Sequence, residues 1–291
     1  MEVPEGLSWW RGWPGGSEWL AALPGLAAAC AEQWDLRLGD PFQPATIAFV
    51  VPAERRDGTR AVLKINFPET ESEHEAAALA HWHGEGAARL LEADAERAAL
   101  LIERLAPARS LRSVPEAEAN TIAAGVLRRL WSTPPGPTAP FVRLDEVVET
   151  WAADAARRPP TQPQLLDLAA GLVRELLPSP GAPAVLHQDS HNGNMLLDEH
   201  RGWLAIDPKP LVGEPAFDCA ALVRDRRAEL MRDPDPLGRI RRRLDQFSEE
   251  LALDRERVRG WAVVHAVAWG GETGTDWDPA MVACAGWLAE A

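Results

Sequence analysis

Asp189, Asn194 and Asp207 stand in a stretch, residues 186–210, that reads Leu-His-Gln-Asp-Ser-His-Asn-Gly-Asn-Met-Leu-Leu, then Asp-Glu-His-Arg-Gly, then Trp-Leu-Ala-Ile-Asp-Pro-Lys-Pro. An acid, an amide and a second acid at the end of an apolar run form an ordered set. Kinase-type phosphoryl transfer needs such a set: one carboxylate for the attacking hydroxyl, an amide and a second carboxylate for magnesium. A polar turn between buried strands would explain the polarity but not the Asp-x4-Asn spacing. Residues 195–197 and 203–206 are each short enough for one strand, with 199–202 as the turn between them. That hairpin is expected to hold Asn194 and Asp207 side by side, with Asp189 across a small gap.

Lysine usage points to a second group. Of 30 basic residues only Lys64 and Lys209 are lysine, and the rest are arginine, whose planar fork does not replace a compact ammonium. Lys64 follows Ala-Val-Leu on an expected strand. In kinases a lysine so placed contacts the nucleotide phosphates and is held by a helix glutamate. Glu73 and Glu75 are the candidates, and Glu75 is preferred because Glu73 completes a capping box with Thr70. The segment 41–46, Pro-Phe-Gln-Pro-Ala-Thr, sits where a phosphate-covering loop belongs but has no glycine, leaving Thr46 as its useful polar group. An adenine would pair with main-chain groups of the link from Glu103 to Leu105.

The elements that must position these residues change character along the chain. Residues 1–16 look irregular, and Ser17 caps a helix to about Leu36 that Pro24 must bend or interrupt. Strands are expected over 46–51 and 60–67 around an Asp57-Gly58 turn, then a helix from the capping box to near Gly84. Further strands follow over 89–91 and 98–105, with Asp94 in the turn. Helices are expected over 115–131, 144–157, 163–177, 217–231, 237–251, 255–269 and 279–289. The pattern implies an α+β chain, with a small strand-rich lobe at 1–105 and a larger helical lobe at 106–291.

Composition excludes several classes. A formal charge of −14 argues against nucleic acid, where a basic face supplies affinity, and would suit a cationic substrate, although solubility explains it equally well. No apolar stretch approaches a membrane span, and the acidic, Pro-containing start lacks the regions of a signal peptide. Cys30, Cys219 and Cys284 are too scattered for a disulfide framework or zinc site, so a reducing cytoplasm is expected. His187 and His191 are four apart, but Asn-Gly-Asn breaks the helix that zinc would need, so a zinc hydrolase ranks far below. His187 is expected instead to stiffen the loop through backbone hydrogen bonds, and most tryptophans to pack in the core; Trp261 and Trp269 could stack on a substrate ring, with core packing the preferred reading.

The chain resembles the aminoglycoside phosphotransferase family, in its streptomycin 6-phosphotransferase and hydroxyurea phosphotransferase branch. The segments that carry this are 50–64, 100–105, 186–196 and 203–218. The resemblance implies a two-lobed protein-kinase-like fold and transfer of the ATP γ-phosphate to a small-molecule hydroxyl. Carried over residue by residue, Asp189 would be the base, Asn194 and Asp207 would bind Mg2+, Lys64 would meet the α/β-phosphates, and Glu75 would orient Lys64. Asp218 matches an aspartate that braces the catalytic loop, and Lys209 lies in the branch's Ile-Asp-Pro-x-Pro segment, where it could touch phosphate. Ser190 departs from the usual leucine, and the glycine-free loop leaves the choice of ATP or GTP open.

Only ten residues separate Asp207 from Asp218, too few for the activation loop that handles protein substrates. A small molecule is the expected acceptor, foremost a streptomycin-type aminoglycoside; hydroxyurea or an amino sugar are the alternatives within the class. Glu272, Asp276 and Asp278 could pair with its guanidinium or amino groups, or be cap and solvated residues. A nucleotide-binding pseudokinase regulator is the rival outside the class, and intact Asp189, Asn194, Asp207 and Lys64 argue against it. A cytoplasmic monomer is expected.

Overall fold

Ala61, Leu63 and Ile65 are fully buried in one hydrophobic cluster, while Lys64 between them projects to the opposite face. That period-two alternation is how a strand separates core from site. The computed structural model describes residues 2–68, 73–157, 162–270 and 277–291, without the side chains of 152–157. It divides into two compact units, 1–108 with 198–202, and 109–197 with 203–291.

In the first unit a 3-10 helix (Glu5–Gly12) leads into α1 (Gly16–Gln33), followed by β1 (Leu36–Leu38), β2 (Phe49–Arg55), β3 (Arg60–Ile65), α2 (Glu75–Trp82), β4 (Leu90–Asp94) and β5 (Ala99–Glu103). The strands form one antiparallel sheet in the order β1-β2-β3-β5-β4. Trp19, Leu20, Leu23, Ala27 and Cys30 of α1 cover its apolar face together with Leu7 and Trp10. Pro24 does not interrupt α1, which runs through it without a break. It is exposed, so its missing backbone hydrogen bond falls on the solvent side of the helix.

Other boundaries moved as well. α1 stops at Gln33, short of the expected Leu36, and the chain then enters β1, which was not expected. β2 begins at Phe49, so Thr46 precedes the strand instead of opening it. Asp94 is the last residue of β4, where its carboxylate accepts the N–H of Arg97 at 3.0 Å. α2 starts at Glu75 after His74, without a side-chain cap, and Thr70 of the expected capping box lies outside the described residues.

The chain leaves the first unit through β6 (Pro107–Ser110) and continues with α3 (Glu116–Trp131), α4 (Leu144–Arg157), α5 (Pro163–Leu176) and β7 (Ala184–Leu186). β8 (Met195–Asp198) and β9 (Gly202–Ala205) then make the expected hairpin, with β6 flanking β8. After β10 (Leu211–Gly213), which pairs antiparallel with β7, come α6 (Pro215–Val223), α7 (Arg227–Leu230), α8 (Pro236–Leu251), α9 (Arg255–Trp269) and α10 (Pro279–Glu290).

The core of the second unit is α9, whose Val258, Trp261, Ala262, Val263 and Ala266 are buried among α5, α6, α8 and α10. Glu116 at the start of α3 is gripped by Arg243 and Arg239 of α8. Burial alone would raise its carboxyl, but the two guanidiniums outweigh that and hold it at about 2. The single helix expected over 217–231 is two, because Arg226 takes a left-handed φ of 54° and the Asp225 carboxylate turns to bind backbone N–H groups.

Candidate active site

The loop between β7 and β8 carries Asp189, and three sets of hydrogen bonds shape it. Asn194 Nδ2 donates to the Asp189 carbonyl at 2.9 Å and to its Oδ2 at 3.3 Å. The N–H of Ile206 donates to the Asn194 carbonyl at 2.9 Å, which draws the residue preceding Asp207 against Asn194. The hairpin thus forms where it was expected and pairs Ile206 with Asn194. Asp189 is partly exposed, with a side chain 14% accessible, whereas Asn194 is buried.

Asp218, fully buried near the start of α6, accepts the N–H of His187 at 2.9 Å and of Gln188 at 2.6 Å, and the indole N–H of Trp131 at 3.0 Å. Its own carbonyl accepts the Ser190 hydroxyl at 2.8 Å. Burial pushes this carboxyl up, with His187 and the donated N–H groups opposing. The brace holds an unfavourable backbone in place, because Gln188 adopts a φ of 65° immediately before Asp189. Asp207 shares the left-handed region at 60°, which a short acidic side chain tolerates better.

Asp225 was not singled out from the sequence. Its Oδ2 accepts the N–H of Asn192 at 2.8 Å, so a second carboxylate beyond the far end of α6 straps the other side of the loop. No local pattern announces it, since the bond spans 33 residues.

Both loop histidines are committed to backbone. His187 Nε2 lies 3.0 Å from the Ile206 carbonyl oxygen, which can only accept, so Nε2 carries the proton. Burial pushes the imidazole pKa down against the pull of Asp218, and the ring is neutral. His191 Nδ1 accepts the N–H of Gly193 at 3.0 Å, and its Nε2 is 3.8 Å from Asp189 Oδ1. Among the described residues no group of three His, Cys, Asp or Glu could hold a metal. An Asn194 amide oxygen and an Asp207 carboxylate are instead the sparse oxygen set that Mg2+ uses when substrate phosphates supply further ligands. With Nδ2 spent on Asp189, Asn194 has its Oδ1 to offer, an oxygen donor of the kind that ion takes.

In the first unit, Lys64 Nζ lies 2.8 and 2.7 Å from the two carboxylate oxygens of Glu75. Asn66 Nδ2 donates to Glu75 Oε2 at 2.8 Å. Glu75 is 1% accessible, so the pair is a buried one, and Glu75 is the partner in preference to Glu73. Of the other expected residues, Thr46 is exposed and its carbonyl accepts the indole N–H of Trp9. Glu103 is drawn into the sheet: its carboxylate accepts the N–H of Arg89 at 2.6 Å and also pairs with Arg201. Leu105 is buried.

Asp278 caps α10 by accepting the N–H of Ala280 at 2.8 Å; Glu272 and Asp276 lie outside the described residues. Trp261 is core, as expected, and donates to Glu214. Trp269 is not simply packed, since Lys209 Nζ and the Arg224 guanidinium each lie 4.9 Å from its ring centroid.

A five-stranded sheet unit carrying a buried Lys–Glu pair, together with a helical unit carrying a braced Asp-x4-Asn loop and hairpin, defines a phosphotransferase of the protein-kinase-like class. A family model for aminoglycoside/hydroxyurea antibiotic resistance kinases matches residues 39–278. The streptomycin 6-kinase of Streptomyces griseus is 36% identical over 304 residues, covering 100% of this chain and 98% of that one. The hydroxyurea phosphotransferase of Kitasatospora aureofaciens is 39% identical over 273 residues, covering 89% and 76%. An aminoglycoside phosphotransferase from Streptomyces rimosus, solved with ADP and streptomycin, superposes with a TM-score of 0.60 at 22% identity, covering 86% of this chain and 99% of that one. The chain belongs to the aminoglycoside/hydroxyurea antibiotic resistance kinase family.

Proposed function

We propose that the protein is a cytoplasmic, monomeric kinase that moves the γ-phosphate of ATP to a hydroxyl of a streptomycin-type aminoglycoside. Two supports are the kinase names of relatives more than a third identical over nearly the whole chain and the ADP and streptomycin held by the S. rimosus structure. The observation that carries the chemistry is the grip of Asn194 Nδ2 on both the carbonyl and the carboxylate of Asp189. A carboxylate so fixed can accept the proton of an acceptor hydroxyl or align it for attack, and orientation of this kind removes much of the barrier.

In this reading Asn194 Oδ1 and the Asp207 carboxylate hold Mg2+, which when bound neutralises phosphate charge. Lys64, kept in place by Glu75, meets the α/β-phosphates. In the link that would face the base, the N–H of Glu103 donates to the Arg89 carbonyl at 3.0 Å and that of Arg104 to Arg60 at 3.2 Å. Both are spent in the first unit, so Leu105 is the proposed main-chain contact for adenine. The acid Asp278 serves its helix first, and any role at the substrate is secondary.

The test is a panel of streptomycin, other aminoglycosides, an amino sugar and hydroxyurea, incubated with MgATP and read by mass. Streptomycin is expected to gain one phosphate, and Asp189→Ala to slow that transfer by about 10²–10⁴-fold, the range of general acid–base catalysis. Transfer to hydroxyurea alone would move the protein to the other arm of its family. ATP binding with no transfer to any acceptor would favour the nucleotide-binding regulator.

A further inference from the structure

The loop between β1 and β2 poses a problem for a kinase, because this stretch, 39–48, has glycine only at its start, Gly39. Kinases cover phosphates with a glycine-rich loop, whose backbone can approach the anion closely. The first unit offers another solution. The indole N–H of Trp9 donates to the Thr46 carbonyl, and that of Trp10 donates to the Ile47 carbonyl at 2.9 Å. Gly6 lies so close beneath the loop that a β-carbon there would overlap the Ala45 carbonyl oxygen. Three consecutive loop residues thus rest on one face of the N-terminal 3-10 helix.

Peptide planarity turns this into a statement about donors. In a trans peptide the C=O and the following N–H point in opposite directions. With the carbonyls of Thr46 and Ile47 turned to the indoles, the N–H groups of Ile47 and Ala48 point away from the helix, side by side. Neither N–H has an acceptor among the described residues. Successive N–H groups aimed the same way form a concave anion site without requiring glycine. The helix is itself firmly seated: Trp10 is 1% accessible and stacks on Phe67 at 4.2 Å between ring centroids.

We propose that the segment from Gly6 to Trp10 is a clamp that presents the Ile47 and Ala48 N–H groups to nucleotide phosphate, making Trp9 and Trp10 positioning residues for ATP. The proposal rests on the kinase reading above and adds to it what takes the place of the missing glycines. It also explains why β2 starts three residues later than its apolar run, since the backbone of 46–48 is committed to the clamp.

The experiment compares Trp9→Phe, the double variant Trp9→Phe/Trp10→Phe, and Gly6→Ala with the parent protein. Phenylalanine keeps an aromatic ring in place and removes the indole donor, at the cost of a smaller ring where Trp10 is buried. The double variant is expected to raise KM for ATP about tenfold, the worth of two hydrogen bonds of ordinary net strength, with kcat and the KM for streptomycin unchanged. Gly6→Ala should act in the same direction by displacing the loop. Trp9 is 42% accessible, so Trp9→Phe should keep the parent denaturation midpoint and still raise KM, which separates positioning from folding. Trp13→Phe, an exposed tryptophan with no bond to the loop, should match the parent.

Parent-like KM for ATP in the double variant would overturn the clamp. Should the parent protein transfer phosphate to nothing, the kinase reading falls, and calorimetric ATP affinity of the same variants decides the clamp; an absence of any ATP binding overturns it as well.

Discussion

At the residue scale, two buried groups beside the catalytic loop constrain each other. Arg224 is 4% accessible, donates through Nε to His265 Nδ1 at 3.2 Å and lies over the Trp269 ring. Burial, with Arg227 nearby, lowers its guanidinium to about 10, so it remains a cation at neutral pH. A guanidinium only donates, so His265 Nδ1 must be unprotonated and the ring neutral. Burial first, and then the charges of Arg224 and Lys209, push its pKa well below the usual histidine value. The sign follows from proton counting. Below about pH 6.5 the unfolded chain takes up a proton at this position that the folded chain refuses, so stability falls as pH drops. His265 should contribute a slope of about 1.4 kcal/mol per pH unit in that range. Urea denaturation between pH 6.5 and 5 tests this: His265→Asn, which keeps an acceptor for Arg224, should lose one proton's worth of slope. An unchanged slope would mean that His265 is protonated in the fold.

At the element scale, what could be read from the sequence depended on how local the cause was. α4 and α9 begin and end where the helical periodicity placed them, because each is defined by its own amphipathic or apolar pattern. The hairpin was legible from two short apolar runs and a turn, and with it Asn194 and Asp189. β7 and β10 were not, since three residues each give no alternation and they exist by pairing with one another. The break between α6 and α7 was equally hidden, being caused by Asp225 reaching back to Asn192. That bond makes α6 a two-point mount, with Asp218 holding the entry to the loop and Asp225 its exit. Asp218→Asn and Asp225→Asn each turn an amide group toward a backbone donor and should cost about 1–3 kcal/mol, with kcat falling more than KM rises. Because both hold one loop, the double variant should cost about 1 kcal/mol less than the sum. Additive losses in a double-mutant cycle would show that the two carboxylates secure independent segments.

At the scale of the whole molecule, the charge of −14 has two explanations with different consequences. If it only keeps the protein soluble, catalysis is indifferent to salt. If it draws in a cationic acceptor, the summed field raises the local concentration of that acceptor and speeds its encounter. Salt screens such a field, since the Debye length shrinks from about 30 Å at 0.01 M to about 10 Å at 0.1 M. An aminoglycoside bearing several positive charges should then lose kcat/KM by about tenfold over that range, at the low end of steering effects. Hydroxyurea is neutral and should be unaffected, as should kcat for either acceptor. Steady-state kinetics at constant MgATP, with salt as the only variable, therefore reads the acceptor class from the charge of the protein. Equal salt dependence for both acceptors would locate the effect at the nucleotide, and flat profiles for both would leave the acidity to solubility.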